Sequence, residues 1–316
     1  MRLFVFISLL FTYNFAHSQN GKIIEQTDFT VPDSSIRKIE KLVPNIRSIL
    51  FATNFYHISY LSDGLKVKGY LAFPKIGDKL PCIIYNRGGR KEIGKITDDY
   101  FLTELAPLCN KGYLIVASQY RGNDGGDGKE EYGGKEVNDI LNLIPLLGSI
   151  NQADTSRIGM YGWSRGGMMT YLALSRTTKI KAAVVKSGLT NLIKLLKNRP
   201  ELDTTMYSPL IPEYSKNKTA ALENRSAVYF ADNINKQTAL LILQGSADAL
   251  VPADQALELV DTLYKLKHPV RFILYEGATH GLIEYRNDYY QQMINWFDAY
   301  LRDKKSLPNL EPHTNQ

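Results

Sequence analysis

The stretch Arg157–Gly167 reads RIGMYGWSRGG, and it decides the fold. A short apolar run leads into Gly-x-Ser-x-Gly centred on Ser164, and the helix-forming run Met168–Leu174 follows at once. A strand that turns sharply into a helix at such a pentapeptide holds its serine strained, with the hydroxyl exposed. The amide of Arg165 would then lie at a helix N-terminus, where it can bind an oxyanion. The pattern therefore predicts Ser164 as a nucleophile.

Strand-like and helix-like runs alternate on both sides of this stretch. Two early strand-like runs with a tight connection predict an antiparallel edge, and the later alternation predicts a mostly parallel central sheet with helices on both faces. Residues 190–235 interrupt the alternation with three prolines and helix-like pieces. We expect them to form a small helical insertion that caps the site, with a peripheral excursion as the alternative. The main domain should span residues 54–303.

The two ends of the chain are predicted to lie outside this domain. Residues 1–18 contain Arg2, then an apolar run too short to span a bilayer, then Ala-His-Ser, the small-residue pattern that signal peptidase cleaves. We therefore expect a signal peptide and export to the periplasm or the medium, with a retained membrane anchor as the alternative. Residues 19–53 should form an N-terminal extension packed on the domain, and residues 304–316 a polar tail.

Composition excludes several classes of function. The 316 residues are 44% hydrophobic and 22% charged, as in ordinary globular proteins. The net charge is +6 but the lysines are scattered, so we expect no nucleic-acid partner and, after signal cleavage, no membrane partner. Cys82 and Cys109 lack metal-ligand spacing, and they are either unpaired core residues or a disulfide formed after export. We expect neither a metal nor an organic cofactor, and the oligomeric state stays open.

An activated serine needs a histidine base and an acid that orients the histidine. Of the five histidines, His280 lies in the loop after the strand-like run Val270–Tyr275, at the sheet edge where ligands bind. Asp248 follows the preceding strand-like run and stands too far before the next helix to be its obvious cap. Ser164, Asp248 and His280 have the chain order of the α/β-hydrolase fold, so we predict this fold and this catalytic triad.

Three motifs taken together resemble the prolyl oligopeptidase family of serine hydrolases. They are GWSRGG at Gly162–Gly167, GSADALVP at Gly245–Pro252 and THG at Thr279–Gly281. Weaker matches are YRG at Tyr120–Gly122, EVND at Glu136–Asp139 and DTSRIG at Asp154–Gly159. The resemblance covers residues 65–301, and it implies the same three catalytic residues.

The sequence also departs from the family pattern. The roughly 30 residues between the predicted signal peptide and the first predicted strand cannot form the β-propeller that many members carry, so a propeller-dependent peptide specificity is not implied. Where the family often has an oxyanion-binding tyrosine, this chain has Arg87, within Asn86–Arg90 (NRGGR). We expect Arg165, through its amide, and Arg87 to bind the oxyanion. Arg87 could instead bind a substrate carboxylate, or be an arginine paired within the structure.

These expectations define an exported serine hydrolase that acts on small peptide or acyl ester substrates through an acyl-enzyme. The resemblance favours a serine peptidase. A site with no propeller over it suits a carboxylesterase on small or carbohydrate acyl esters almost as well, and glucuronoyl esterases also use Gly-x-Ser-Arg. The alternative of another class is a non-catalytic binding protein on the same fold.

Overall fold

The computed structural model describes residues 19–312. The predicted signal peptide, residues 1–18, and the last four residues of the predicted polar tail lie outside the described residues. Within the described part of the chain, no helix is both long enough and apolar enough to cross a membrane.

A nine-stranded sheet forms the centre of the described chain, in the order β1-β2-β3-β5-β4-β6-β7-β8-β9. Its strands are β1 (Ile23–Asp28), β2 (Thr53–Ser62), β3 (Leu65–Pro74), β4 (Leu80–Asn86), β5 (Leu114–Ser118), β6 (Ala153–Trp163), β7 (Ile180–Lys186), β8 (Ala239–Gly245) and β9 (Val270–Tyr275).

The sheet is mostly parallel with an antiparallel edge, which confirms the predicted fold class. Strands β1, β2, β3 and β5 pair antiparallel in that order, and all the remaining pairs, from β5 to β9, are parallel. Strand β1 lies within the predicted extension, residues 19–53, and adds an edge strand that the sequence did not indicate. Five of its six residues are exposed, so it lacks the alternation by which a half-buried strand is recognised.

Helices cover both faces of the sheet. They are α1 (Asp33–Ile39), α2 (Ile46–Ala52), α3 (Asp98–Tyr100), α4 (Ala106–Cys109), α5 (Val137–Leu141), α6 (Leu143–Gly148), α7 (Arg165–Leu174), α8 (Leu192–Asn198), α9 (Ser208–Leu210), α10 (Lys218–Glu223), α11 (Ala253–Lys265) and α12 (Arg286–Phe297). A π-helical turn at Phe101–Leu105 joins α3 to α4, a second one, Asp203–Tyr207, precedes α9, and a third, Asp298–Arg302, extends α12.

Two apolar cores hold these layers together, one on each face of the sheet. The first packs α5, α6, α7 and α11 against the strands, and the second packs α2, α4 and α12. Cys82 belongs to the first core and Cys109 to the second, and both are buried and unpaired. Burial raises the pKa of the Cys82 thiol to about 12, so that thiol stays protonated at neutral pH. The two cysteines are therefore unpaired core residues, and they do not form the disulfide that was the alternative.

The parallel strands bring the candidate site residues to one edge of the sheet. Strands β4, β6, β8 and β9 run in the same direction, so their carboxyl ends lie side by side. The chain leaves β6 at Ser164, and it continues from β8 to Asp248 and from β9 to His280. An open α/β sheet binds its ligands at this edge.

Candidate active site

Ser164 lies at the tight turn between β6 and α7. Its φ of 57° and ψ of −123° fall in a region that is strained for any residue with a side chain. The turn can be this tight because Gly166 packs on the end of β4, where a side chain would clash with the carbonyl of Asn86. Arg165 is the first residue of α7, so its amide has no acceptor within the helix. The strand-turn-helix geometry predicted around Ser164 is present.

His280 and Asp248 form a hydrogen-bonded pair beside this turn. The Nδ1 atom of His280 lies 2.8 Å from Oδ2 of Asp248, and the Asp248 side chain is fully buried. The other carboxylate oxygen of Asp248 accepts the amides of Leu250 and Val251, both at 2.9 Å. Burial raises the pKa of Asp248, but the bonds from His280 and from these amides outweigh it, and the pKa lies below its usual value.

The ionised Asp248 selects the tautomer of the histidine. Because a carboxylate can only accept hydrogen bonds, Nδ1 of His280 must donate the proton between them. The second ring nitrogen, Nε2, is then left to accept a proton from another group. An imidazole held in this way has the form that a general base requires.

Ser164 and His280 line the same cavity, whose volume is about 130 Å³. Most of its other side chains are apolar: Ile93, Tyr132, Leu189, Leu195, Leu202, Met206, Leu250 and Val251. Its remaining side chains are three arginines: Arg90, Arg165 and Arg199. Residues 190–235 contribute four of these side chains, from Leu195 to Met206, so this segment forms part of the cavity wall.

The histidine loop rests on two residues that the sequence analysis missed. The indole of Trp163 donates to the carbonyl of His280 at 3.3 Å. The buried ammonium of Lys186, at the end of β7, lies 3.4 Å from the carbonyl of Gly281 and 5.3 Å from the centre of the Trp163 ring. Burial lowers the pKa of Lys186 to about 8. The sequence offered one sign of this role: Lys186 ends a buried apolar strand, where a lysine is unusual.

The Arg87 side chain does not serve the site in the predicted way. It is 1% exposed, and its Nε donates to the carbonyl of Gln119 at 3.0 Å. Its terminal nitrogens donate to the carbonyls of Gly88 at 3.1 Å and Lys91 at 2.8 Å. The prediction that this side chain binds an oxyanion or a substrate carboxylate is wrong, because its donors hold the backbone of the loop that follows β4. The structure therefore agrees with the alternative, in which Arg87 is an arginine paired within the protein.

The Arg165 side chain is also used inside the protein. It is 1% exposed, and its terminal nitrogens lie 2.8 Å from Glu130 and 2.6 Å from Glu136, two buried carboxylates. It also donates to the carbonyl of Gly89 at 3.1 Å. Only the backbone amide of Arg165 is therefore left for the predicted contact with an oxyanion, and that contact stays a prediction.

Gly88, in the loop after β4, comes close to the nucleophile. A Cβ built on it would lie 3.2 Å from Cβ of Ser164 and 3.1 Å from the carbonyl of Trp163. This close approach places loop backbone, with no side chain between, against the catalytic turn. The signal in the sequence was the pair of glycines that follows Arg87.

Residues of the weaker family motifs form ion pairs that stabilise the domain away from the catalytic residues. Arg121 lies 2.7 Å from Asp139, and both side chains are nearly inaccessible. Arg157 lies 2.6 Å from Asp154, at the start of β6. Across residues 19–312, no group of three or more His, Cys, Asp or Glu side chains could hold a metal ion.

Proteins of known sequence are similar to this chain. The model of the prolyl oligopeptidase family matches residues 99–304, well over half of the chain. The chain is 30% identical to the uncharacterized peptidase YtmA of Bacillus subtilis over 227 residues, 71% of this chain and 85% of that protein. It is 28% identical to the uncharacterized peptidase YuxL of the same organism, over 76% of this chain but only 38% of YuxL.

Solved structures show the same fold. The acylaminoacyl peptidase of Pyrococcus horikoshii superimposes with a TM-score of 0.70 at 24% identity, over 89% of this chain and 46% of that one. An acetyl xylan esterase from Paenibacillus sp. R4 gives 0.63 at 16% identity, over 85% of this chain and 96% of that one. At these identities the structures establish the α/β-hydrolase fold alone. With the family match and the similarity to YtmA, they show that this chain is a serine hydrolase belonging to the prolyl oligopeptidase family.

Proposed function

We propose that the protein is a serine peptidase that cleaves short peptides through an acyl-enzyme on Ser164. The observation that supports it best is the hydrogen bond from His280 to the buried Asp248, next to a cavity that Ser164 shares. A strained serine, a base in the right tautomer and a buried acid are the parts that acyl transfer needs.

The reaction follows from these parts. As Oγ of Ser164 attacks the scissile carbonyl, Nε2 of His280 takes its proton, and Asp248 stabilises the imidazolium that forms. The imidazolium then protonates the leaving amine, which departs and leaves an ester on Ser164. Water, deprotonated by His280, hydrolyses this ester and restores the serine.

Two backbone regions would bind the oxyanion. The first is the amide of Arg165, at the N-terminus of α7. The second is the loop backbone at Gly88, which approaches Ser164 closely, and at Gly89, which lines the cavity. This backbone replaces the Arg87 side chain in the role. Amides fixed by a rigid loop stabilise the transition state without reorganising, and each donor is typically worth about 100-fold or more in kcat.

The insertion at residues 190–235 would set the acyl-side specificity. Leu195, Leu202 and Met206 form an apolar wall beside Ser164. Apolar walls of this kind select by size and hydrophobicity, and each methylene contributes about tenfold or more in kcat/KM. We expect a medium-sized apolar side chain next to the scissile carbonyl.

A carboxylesterase is the second candidate, and the size of the cavity favours it. A volume of about 130 Å³ beside the nucleophile is enough for a short acyl chain. The same triad cleaves esters, whose leaving alcohols need less protonation than amines do.

Hydrolysis of two substrate panels by the protein from Gln19 onward would separate the candidates. One panel holds p-nitrophenyl and sugar acyl esters, and the other N-blocked and free aminoacyl p-nitroanilides. Turnover of anilides at rates near those of esters supports the peptidase, and turnover of esters alone contradicts it. The variant Ser164→Ala must be inactive on both panels, since any activity it keeps comes from a contaminant.

A further inference from the structure

We infer that Arg90 is a specificity-determining residue that binds a carboxylate carried by the substrate, close to the scissile bond. This inference rests on the proposed function, because it concerns the same cavity and the same reaction. It names the substrate class more closely: a short acyl compound or peptide with one apolar group and one carboxylate.

All the charged side chains that line the cavity are positive. Its lining contains Arg90, Arg165 and Arg199 but no aspartate or glutamate. Two of these arginines are neutralised. Arg165 lies between two buried carboxylates, as described above, and Arg199 pairs with Glu201 at 3.1 Å and donates to the carbonyl of Leu250.

Among the described residues, Arg90 is the cation of the cavity whose side chain has no partner. It is half-buried, and within residues 19–312 no carboxylate and no carbonyl receives a bond from its guanidinium. Burial raises the pKa of Tyr132 to about 12, and the charges of Arg165 and Arg90 oppose this rise. The Arg90 charge therefore acts on a side chain of the cavity wall. A guanidinium here offers a planar pair of donors that matches a carboxylate.

Hydrogen bonds fix the backbone of the loop that carries Arg90. Arg90 and Ile93 exchange two backbone hydrogen bonds, both of 3.0 Å, which close a tight turn. Arg87 holds the carbonyls of this loop from inside, and Glu130 accepts the amide of Lys91 at 2.8 Å. Because the backbone is fixed before the substrate arrives, binding a carboxylate costs little ordering of the loop.

The carboxylate could come from either side of the scissile bond. It could be the free C-terminus of the residue that leaves, or a carboxylate on the acyl part that stays on Ser164. Two matched pairs of substrates distinguish these sources. N-acetyl-Leu-Leu against its C-terminal amide varies the leaving side, and succinyl-Leu p-nitroanilide against its analogue with a carboxamide in place of the carboxylate varies the acyl side.

The measurement is kcat/KM for both members of each pair, with wild type, Arg90→Gln and Lys91→Gln. We expect wild type to prefer the carboxylate member of one pair by about 10- to 100-fold. In Arg90→Gln this ratio should fall towards one. Lys91→Gln removes an exposed neighbouring charge and should keep the wild-type ratio. A ratio is used because partial misfolding lowers both rates alike.

The outcomes separate this inference from the proposed function. If wild type hydrolyses the neutral and carboxylate members equally well, or if the preference survives in Arg90→Gln, the role of Arg90 is overturned and the peptidase stands. If the folded protein hydrolyses no member of either pair, the proposed function fails, and this inference fails with it.

Discussion

The Nδ1 atom of His280 lies 2.8 Å from Oδ2 of Asp248, and the opposite oxygen of that carboxylate is held by two backbone amides. The acid is thus fixed at both oxygens before any substrate binds. It can orient the imidazole without moving during the reaction, which is what a preorganised site requires.

Asp248→Asn should lower kcat by about 10³–10⁴ while the protein stays folded, because an amide can donate to Nδ1 and so favours the wrong tautomer of His280. Steady-state hydrolysis at saturating substrate checks this. Asp254→Asn is a matched control, since Asp254 is exposed in the first turn of α11, and it should keep nearly full activity. A loss of less than tenfold in Asp248→Asn would remove this residue from the triad.

Gly88→Ala should lower kcat by about 10- to 100-fold, because the added methyl group meets Ser164 and the carbonyl of Trp163 and must displace the loop backbone that we propose binds the oxyanion. Gly148→Ala adds the same methyl group into open space at the end of α6, and it should leave kcat unchanged. An effect of Gly88→Ala on KM alone would show that this loop binds substrate and does not stabilise the transition state.

Arg87→Met should act on stability. It leaves three carbonyls without their donor, two of them buried, and at about 1 kcal/mol each the free energy of unfolding should fall by about 2 to 3 kcal/mol. Urea denaturation measures this, and below the transition the variant should keep kcat within about tenfold. A loss of 100-fold or more in kcat at unchanged stability would instead restore Arg87 to the oxyanion site.

Lys186 should make stability depend on pH in the alkaline range. Its pKa is about 8 in the folded protein and near the usual lysine value in the unfolded chain, so between these values the unfolded chain binds more protons. The free energy of unfolding must then rise with pH, by about 2 kcal/mol from pH 7 to pH 9.5.

Denaturation of wild type and Lys186→Met at these two pH values isolates this contribution, because other titrating groups cancel in the difference. Lys181→Met, an exposed lysine of the same strand, is the control and should show no such difference. The aromatic rings of Trp163 and Tyr289 near the ammonium favour its charged form. If they dominate, the difference between wild type and Lys186→Met will not change with pH, contrary to the prediction.

Much of the site could be derived from the sequence because its residues follow strands. The order of Ser164, Asp248 and His280 along the chain, and the position of each after a strand-like run, placed all three at one sheet edge. Elimination singled out His280 because few histidines compete.

The arginines could not be resolved in this way. Arg87, Arg90 and Arg165 occur within or beside glycine-rich turns, and sequence spacing does not tell which of them finds a partner. The partners of Arg165 are Glu130 and Glu136, in a separate loop, and those of Arg87 are backbone carbonyls, which no side-chain pattern reveals. Strand β1 was missed for a related reason, since its exposed edge leaves no apolar pattern.

Labelling with an active-site fluorophosphonate, followed by mass spectrometry of the modified peptide, decides whether Ser164 is the nucleophile. The folded wild-type protein should incorporate one equivalent of the reagent on Ser164, and Ser164→Ala should incorporate none. A folded wild-type protein that stays unlabelled, or a label that persists on another residue in Ser164→Ala, would contradict the proposed mechanism.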